Sequence, residues 1–263
     1  MSAENKEMVV HFYDELFGPG NLTVIDKYVG PEYIQHNPNA ANGAEALRGF
    51  IKYFRGAYPD MQYRTARVIA EDDLVLLHSH AVTEPGTPGQ AVVDMFRVKD
   101  GKIDEHWDVI QDVPDTTVSG NDMFSTLSDP AGSEPDLSVS AAESKQVVLD
   151  LFKELIDGRD VTAVDRYLGD PYYQHNPQQP NGKAGAKEQF VSTFAAVPGF
   201  SVSVKRVIAE GDLVAVHHHL KFNADHLGIA VIDIFRVRDG KIVEHWDIAQ
   251  PVPEKSANDN TMF

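Results

Sequence analysis

The stretch Asp94–Asp108, DMFRVKDGKIDEHWD, is written twice in this chain. It returns at Asp233–Asp247 as DIFRVRDGKIVEHWD, with 12 of 15 positions identical. Each copy sets an Asp-Gly pair between two arms rich in apolar, β-branched and aromatic residues. Asp-Gly in that setting is a strong hairpin signal, because a tight turn needs positive φ and glycine supplies it. The arms also carry chemistry. The first holds one Asp (Asp94, Asp233), and the second holds His-Trp-Asp (His106, Trp107, Asp108; His245, Trp246, Asp247). Both tryptophans of the chain lie here.

The copies are 139 residues apart. The same offset relates Tyr33–Pro38 to Tyr172–Pro177, Arg67–Glu71 to Arg206–Glu210, and Met123-Phe124 to Met262-Phe263. The match slips by one only near the middle, where Phe50 and Phe54 align with Phe190 and Phe194. Solenoid repeats run at about 20–50 residues, so a period this long denotes a duplicated domain. Two domains are expected, 1–124 and 142–263. The Ser/Pro/Asp/Gly-rich stretch 125–141 reads as a linker. The recurring Met-Phe ends predict that each domain tucks an apolar tail onto itself.

Within each repeat the pattern runs from helical to extended. Residues 3–17 carry Val9, Phe12, Tyr13 and Leu16 at helical spacing and stop at Gly18-Pro19-Gly20; their counterpart is 142–156. A short helix follows at 24–29, with Thr23 as N-cap. Tyr33–Pro38 is extended, and 44–58 is helical again. From residue 60 onward β patterning takes over: 61–70, 74–83, and the hairpin 91–98 with 103–111. Helices followed by a run of strands predict an α+β fold with helices on one face of a curved, mostly antiparallel sheet. Leu74–Thr83 is largely apolar on both faces, so its second face needs cover. The other repeat is the simplest cover, which predicts an internal pseudo-dimer and allows a further homo-oligomer.

Composition narrows the function. A net charge of −17 argues against nucleic acid or an anionic membrane as partner. With no cysteine, disulfides, thiolate catalysis and Cys-based zinc sites are excluded. The N-terminus lacks the pattern of a secretory signal, and no apolar run approaches the ~18–20 residues of a membrane span, so a cytoplasmic location is expected.

Two helices, Gln-His-Asn-Pro, a third helix, a strand with His-Ser-His, and the DMFRVKDGKIDEHWD hairpin together resemble the SnoaL-like polyketide cyclase family. That family sits within the nuclear-transport-factor-two-like fold group. The resemblance covers each repeat almost end to end. It implies two tandem cone-shaped α+β barrels, each a curved sheet wrapped around its N-terminal helices. It also implies a small-molecule pocket between sheet and helices, and acid–base chemistry without cofactor or metal on a small carbonyl compound: aldol-type cyclisation, isomerisation or dehydration. The family's cyclases use an Asp on the closing strands with a nearby His. Carried over, the catalytic candidates are Asp94 or Asp108 with His36, and Asp233 or Asp247 with His175.

Strand alternation leaves two registers. With a two-residue turn, Val98 pairs with Ile103 and Asp94 with Trp107, and Asp94, Glu105, Trp107 and Gln111 share a face. With a three-residue turn and a Gly bulge, Asp94 pairs with His106, and Asp94, His106 and Asp108 share a face. Asp94 is a candidate in both and ranks first. The expected substrate-binding residues are His78, His80, His106, Trp107 and Gln111, with His217, His219, His245, Trp246 and Gln250 in the second repeat. His218 matches Ser79 and points away from its neighbours, so it is set aside. A His/Asp metal site built from His36, His80, Asp94 and His106 is the alternative chemistry, and a non-catalytic small-molecule binding protein is the alternative function. The loops differ between repeats (Asn223–Gly228 against Glu84–Gly89, and the Gln-Gln-Pro loop), which suggests different ligands.

Overall fold

The computed structural model describes residues 2–129 and 132–263. They form two compact units, one made of the chain up to Val113 together with Pro253–Phe263, the other of Pro114–Val252. Each is described by itself.

In the first unit the elements are α1 (Ser2–Phe17), α2 (Thr23–Tyr28), β1 (Val29–Gln35), α3 (Ala44–Ala57), β2 (Gln62–Glu71), β3 (Leu74–Val82), β4 (Gln90–Lys99) and β5 (Lys102–Asp112). The sheet order is β1-β5-β4-β3-β2, antiparallel except where β1 runs parallel to β5. This is the α+β architecture expected. Val9, Phe12, Tyr13 and Leu16 of α1 are buried against Val75, Leu77 and Phe96 of the sheet, with Phe12 and Tyr13 edge-on to Phe96. Thr23 opens α2 rather than capping it. Its N–H and hydroxyl both donate to Asn21 Oδ1, at 3.2 and 2.6 Å.

The second unit repeats the plan with α4 (Ala141–Leu151, continued by a π-helical turn Phe152–Asp157), α5 (Ala163–Tyr167), β6 (Leu168–Gln174), α6 (Gly182–Ala196), β7 (Ser201–Glu210), β8 (Leu213–Lys221), β9 (Ile229–Arg238) and β10 (Lys241–Pro251). Its sheet order is β6-β10-β9-β8-β7. The one-residue slip read from the phenylalanines is absent from the backbone. The last bond of α3 is Tyr58 N–H to Phe54 O, and that of α6 is Val197 N–H to Thr193 O, still 139 apart. Phe54 therefore corresponds to Thr193, and Phe50 to Gln189. Among the described residues, no helix is long and apolar enough to cross a membrane.

The closing hairpin follows neither expected register. Lys99 pairs with Lys102 around Asp100-Gly101, both at positive φ, and Val98 pairs with Ile103. Then Arg97 pairs with Glu105, so Asp104 is an extra residue and forms a β-bulge. Beyond it Phe96 faces His106 and Asp94 faces Asp108. The tight turn belongs to the first expectation, but the shared face of Asp94, His106 and Asp108 belongs to the second. The second hairpin does the same, with Val243 as the extra residue and Asp233 facing Asp247.

The tails are exchanged, not tucked home. In the first unit Ala257 N–H donates to Pro38 O (2.7 Å), Asn258 Nδ2 donates to Asn37 O and Ala40 O (2.8 and 2.7 Å), and Asn260 Nδ2 donates to Gln35 O (3.0 Å). Met262 is buried. In the second unit Asn121 Nδ2 donates to Gln174 O, and Val118 N–H to Pro177 O, both at 2.9 Å. The boundaries read from the repeat, 1–124 and 142–263, therefore differ from the folded units: each unit is finished by the strand-following tail of the other repeat.

The stretch expected to be a linker is a strap on the second unit. Leu127 N–H and Ser128 N–H donate to Glu244 at 2.7 and 3.1 Å. Asp129 accepts from Arg236 and Arg238, and Asp136 N–H donates to Asp212 Oδ1 at 2.8 Å. Asp212, Arg236 and Glu244 are fully buried. Buried charges persist only when paired and hydrogen-bonded, and the strap supplies those partners.

Removing Pro253–Phe263 is expected to cost the first unit about 4 kcal/mol, from several net hydrogen bonds near 1 kcal/mol each and one buried Met. Hydrogen exchange should accelerate at 33–42 and stay unchanged at 172–181. Equal acceleration in both segments would disprove the exchange of tails.

Candidate functional site

In each unit the strands β1, β4 and β5 (or β6, β9 and β10) bring one set of polar side chains to the wall of a cavity between sheet and helices. The first cavity is about 140 Å3 and the second about 320 Å3.

In the first, Asp94, His106 and Asp108 are all buried. His106 Nε2 donates to Asp94 Oδ1 (3.0 Å), and its Nδ1 faces Gln35 Oε1 (2.9 Å). Gln35 Oε1 also accepts from Asn37 N–H (2.8 Å), which fixes it as an acceptor. Both imidazole nitrogens therefore meet acceptors, and the ring satisfies both only by donating from both. Burial alone would push its pKa down, but the bond to Asp94 and the charges of Asp108 and Asp94 outweigh this and raise it. Asp94 is the counter-ion: Oδ1 takes His106, and Oδ2 accepts from the Tyr63 hydroxyl (3.2 Å).

Asp108 is different. Oδ2 accepts from Asn37 Nδ2 at 2.5 Å, but Oδ1 is buried with no hydrogen-bond partner. Burial pushes its pKa up to about 6; the nearby Asp94 charge adds to this, while His106 and Asn37 oppose it. A buried, unpartnered carboxylate oxygen at a cavity wall is costly to keep. Burial thus carries the Asp108 carboxyl toward neutrality. Tyr33 completes the wall. Its hydroxyl oxygen accepts from Gln35 Nε2 (3.3 Å), and burial, then the charges of Asp108 and Asp94, keep it protonated.

The second unit repeats the trio. His245 joins Gln174 and Asp233 at 2.9 Å each, and Asn176 Nδ2 donates to Asp247 Oδ2 at 2.7 Å. Asp247 Oδ1 is buried and unpartnered, and burial raises its pKa, with Asp233 adding. One position differs in kind. Asp233 Oδ2 accepts from His218 Nε2 at 2.6 Å, where the first unit has Tyr63. Burial pulls the Asp233 pKa up, but the two imidazoles overcome it and leave it depressed.

Of the residues expected from sequence, Asp94, His106, Asp108, Asp233, His245 and Asp247 meet at the cavities. His36 and His175 do not. His36 stands on the opposite face with Glu105 and Trp107: Nε2 lies 2.9 Å from Glu105 Oε1, Nδ1 lies 2.5 Å from Thr261 O, and the ring stacks on Trp107 at 4.9 Å. His175 does the same with Glu244, Asp122 O and Trp246. These histidines clamp the exchanged tails. Trp107, Trp246, Gln111 and Gln250 alternate to that face as well, because the bulge turned His106 and Asp108 the other way.

His78 pairs with Arg67 and His217 with Arg206, also opposite the cavity. His80 and His219 bind loop carbonyls of Pro88 and Leu227. The sequence reading missed Tyr33, Tyr63, Asn37 and their counterparts, and it set aside His218. The deciding fact is the pairing of Leu77 with Asp94 and Val216 with Asp233. It puts Ser79 and His218 on the cavity face and His78, His80, His217 and His219 behind it.

Asp94, His106 and Asp108 each bring one ligand atom within 4.8 Å of the others, as do Asp233, His245 and Asp247. A metal there would have to replace the His106–Asp94 hydrogen bond, and His36 and His80 are too placed behind the sheet to add donors.

The fold and trio define a class of small α+β pocket domain with a carboxyl–imidazole–carboxyl wall. The chain carries two SnoaL-like domains in tandem: residues 146–254 match the SnoaL-like polyketide cyclase family, and residues 9–106 match the SnoaL-like domain family. No curated protein matches the sequence. Among solved structures, a candidate polyketide cyclase from Acidithiobacillus ferrooxidans is 21% identical, over 42% of this chain and 90% of its own, with a TM-score of 0.37. TsrD from Streptomyces laurentii is 20% identical over 42% and 90%, TM-score 0.36. An NTF2-like protein of unknown function from Mesorhizobium loti is 18% identical over 42% and 93%, TM-score 0.37.

A carboxyl raised in the folded state contributes stability below its ordinary value of 3.8, and loses it as pH climbs through about 6. Asp108→Asn should therefore unfold at higher temperature than the parent at pH 8, by up to about 3 kcal/mol, with the gain vanishing near pH 4. Melting curves across that range test this. A gain that is independent of pH would refute the raised pKa.

Proposed function

We propose that each unit is a cofactor-independent acid–base site acting on a small carbonyl compound, in an aldol-type cyclisation, an isomerisation or a dehydration. The observation that carries this is the Asp108 carboxyl (Asp247 in the second unit), held at the cavity wall with one oxygen free of protein partners and a raised pKa. A base that titrates near the working pH is the most effective one for moving a proton.

In this reading Asp108 takes the proton from the carbon beside the carbonyl. Negative charge then grows on the carbonyl oxygen. The Tyr33 hydroxyl is suited to meet it, since Gln35 occupies its oxygen and leaves its hydrogen to donate. The paired His106 and Asp94 hold a fixed positive group beside Asp108, which limits the cost of its ionised form. Asp247, Tyr172, His245 and Asp233 take the same roles. The SnoaL-like family membership of both domains supports the reaction class. The protein's partner in this reading is a small molecule, and the chemistry asks for no cofactor.

The test needs no knowledge of the natural substrate. Exchange of the methyl hydrogens of acetophenone in D2O, followed by proton NMR, reports proton abstraction directly. The protein should accelerate it, and Asp108→Asn combined with Asp247→Asn should lower that acceleration by about 10²–10⁴-fold. Unchanged exchange in the double variant would remove these carboxyls as the bases. Binding of the ketone without any exchange would instead make the domains non-catalytic carriers.

A further inference from the structure

The trio is shared, but the cavity walls around it are not. At the constant offset of 139, Leu47, Phe54 and Tyr63 of the first cavity become Ala186, Thr193 and Val202 in the second. These three positions lose bulk while Ile51 and Ala81 gain it as Phe190 and Leu220, and on balance the cavity is larger, about 320 against 140 Å3. An apolar cavity near 150 Å3 takes a molecule about the size of benzene. More than twice that volume admits fused rings.

Polarity changes as well. Phe50 becomes Gln189, and Ala40 becomes Gln179. Gln178 and Gln189 are exposed members of the second wall, so they stand at its mouth. At the deep end the first unit has Tyr63 on its aspartate, with Ser79 opposite. The second has His218, whose Nδ1 is buried without a protein partner. The second cavity thus offers polar groups at both ends, with aromatic walls from Phe152, Phe190 and Phe235 between them. A ligand that satisfies it carries oxygens at both ends of a flat apolar body. The first cavity has Phe50 and Leu47 where the second has Gln189 and Ala186, and Gln90 where the second has Ile229, so it suits a smaller ligand.

We propose that the two cavities are separate sites for different carbonyl compounds. The first is for a single-ring ligand, the second for a fused-ring ligand with oxygens at both ends, selected by Ala186, Gln189, Thr193 and His218. This rests on the reading of both cavities as ligand sites.

The full chain supplies its own reporters, because His106 lines the first cavity and His245 the second. With 15N-labelled histidine, the signals of these two imidazoles are followed while acetophenone and, separately, 5-hydroxy-1-tetralone are added. Acetophenone should shift the His106 signal at the lower concentration, and the tetralone the His245 signal. Installing the first repeat's residues with Ala186→Leu and Thr193→Phe should weaken the tetralone at least tenfold and leave acetophenone unchanged at His106. If both probes shift both signals with equal affinity in the parent protein, the sites are equivalent and the proposal falls while the ligand-site reading stands. If neither probe moves either signal, the ligand-site reading falls with it.

Discussion

One extra residue in each closing hairpin, Asp104 or Val243, is the constraint on which the rest of the site depends. Side chains alternate with a period of two, so a single inserted residue turns every side chain beyond it to the other face. Beyond the bulge His106 and Asp108 face the helices, and Glu105 and Trp107 face away. The cavity side thereby acquires its carboxyl–imidazole–carboxyl trio. The far side acquires an anion and an indole, onto which His36 stacks and to which the tail is then clamped.

Buried charge is handled on both faces. Behind the second sheet, Glu244, Arg236 and Asp212 are wholly buried, and the strap gives each a partner, with Asp212 Oδ2 left without a hydrogen bond. On the cavity side the pairing is also incomplete. Asp94 and His106 satisfy one another, while Asp108 keeps a buried oxygen unmet. That oxygen makes the folded state less stable above neutrality, and the proposed acid–base role of Asp108 rests on the same deficit. Local rules tend to be broken at functional sites and compensated elsewhere, and here the compensation lies in the surrounding network of Asn37, Gln35 and Tyr33.

Duplication kept this network and let its surroundings drift. Gln35, Asn37 and Tyr33 have identical counterparts in Gln174, Asn176 and Tyr172, with hydrogen bonds of nearly equal length. The groups around it changed: a tyrosine on the aspartate was lost and a histidine gained, and at Phe50 and Phe54 the third helix traded rings for one amide and one hydroxyl, Gln189 and Thr193. The tails, meanwhile, crossed over, so that neither repeat by itself contains all of its folded unit.

Much was legible in the residues alone. The repeat, the helix-then-strand order, the Asp-Gly turn and the gathering of Asp94, His106 and Asp108 in one motif follow from local patterns, because turn geometry and amphipathic spacing act over a few residues. The SnoaL-like resemblance was legible for the same reason. What only tertiary structure decided was the register past the bulge, the facing of the histidines, the course of the tails and the strap, and the raised pKa of Asp108. The physical cause is common to all of these. A bulge costs one residue wherever it sits, so the pairing of whole strands, such as Leu77 with Asp94, decides its place and hence the face of His36, His78 and His218. A carboxyl's pKa depends on burial and on charges brought from elements far apart in the chain. Asp94 and Asp108 look alike in sequence, and become the imidazole's partner and the carboxyl with an unmet oxygen only once His106, Tyr63 and Asn37 are folded around them.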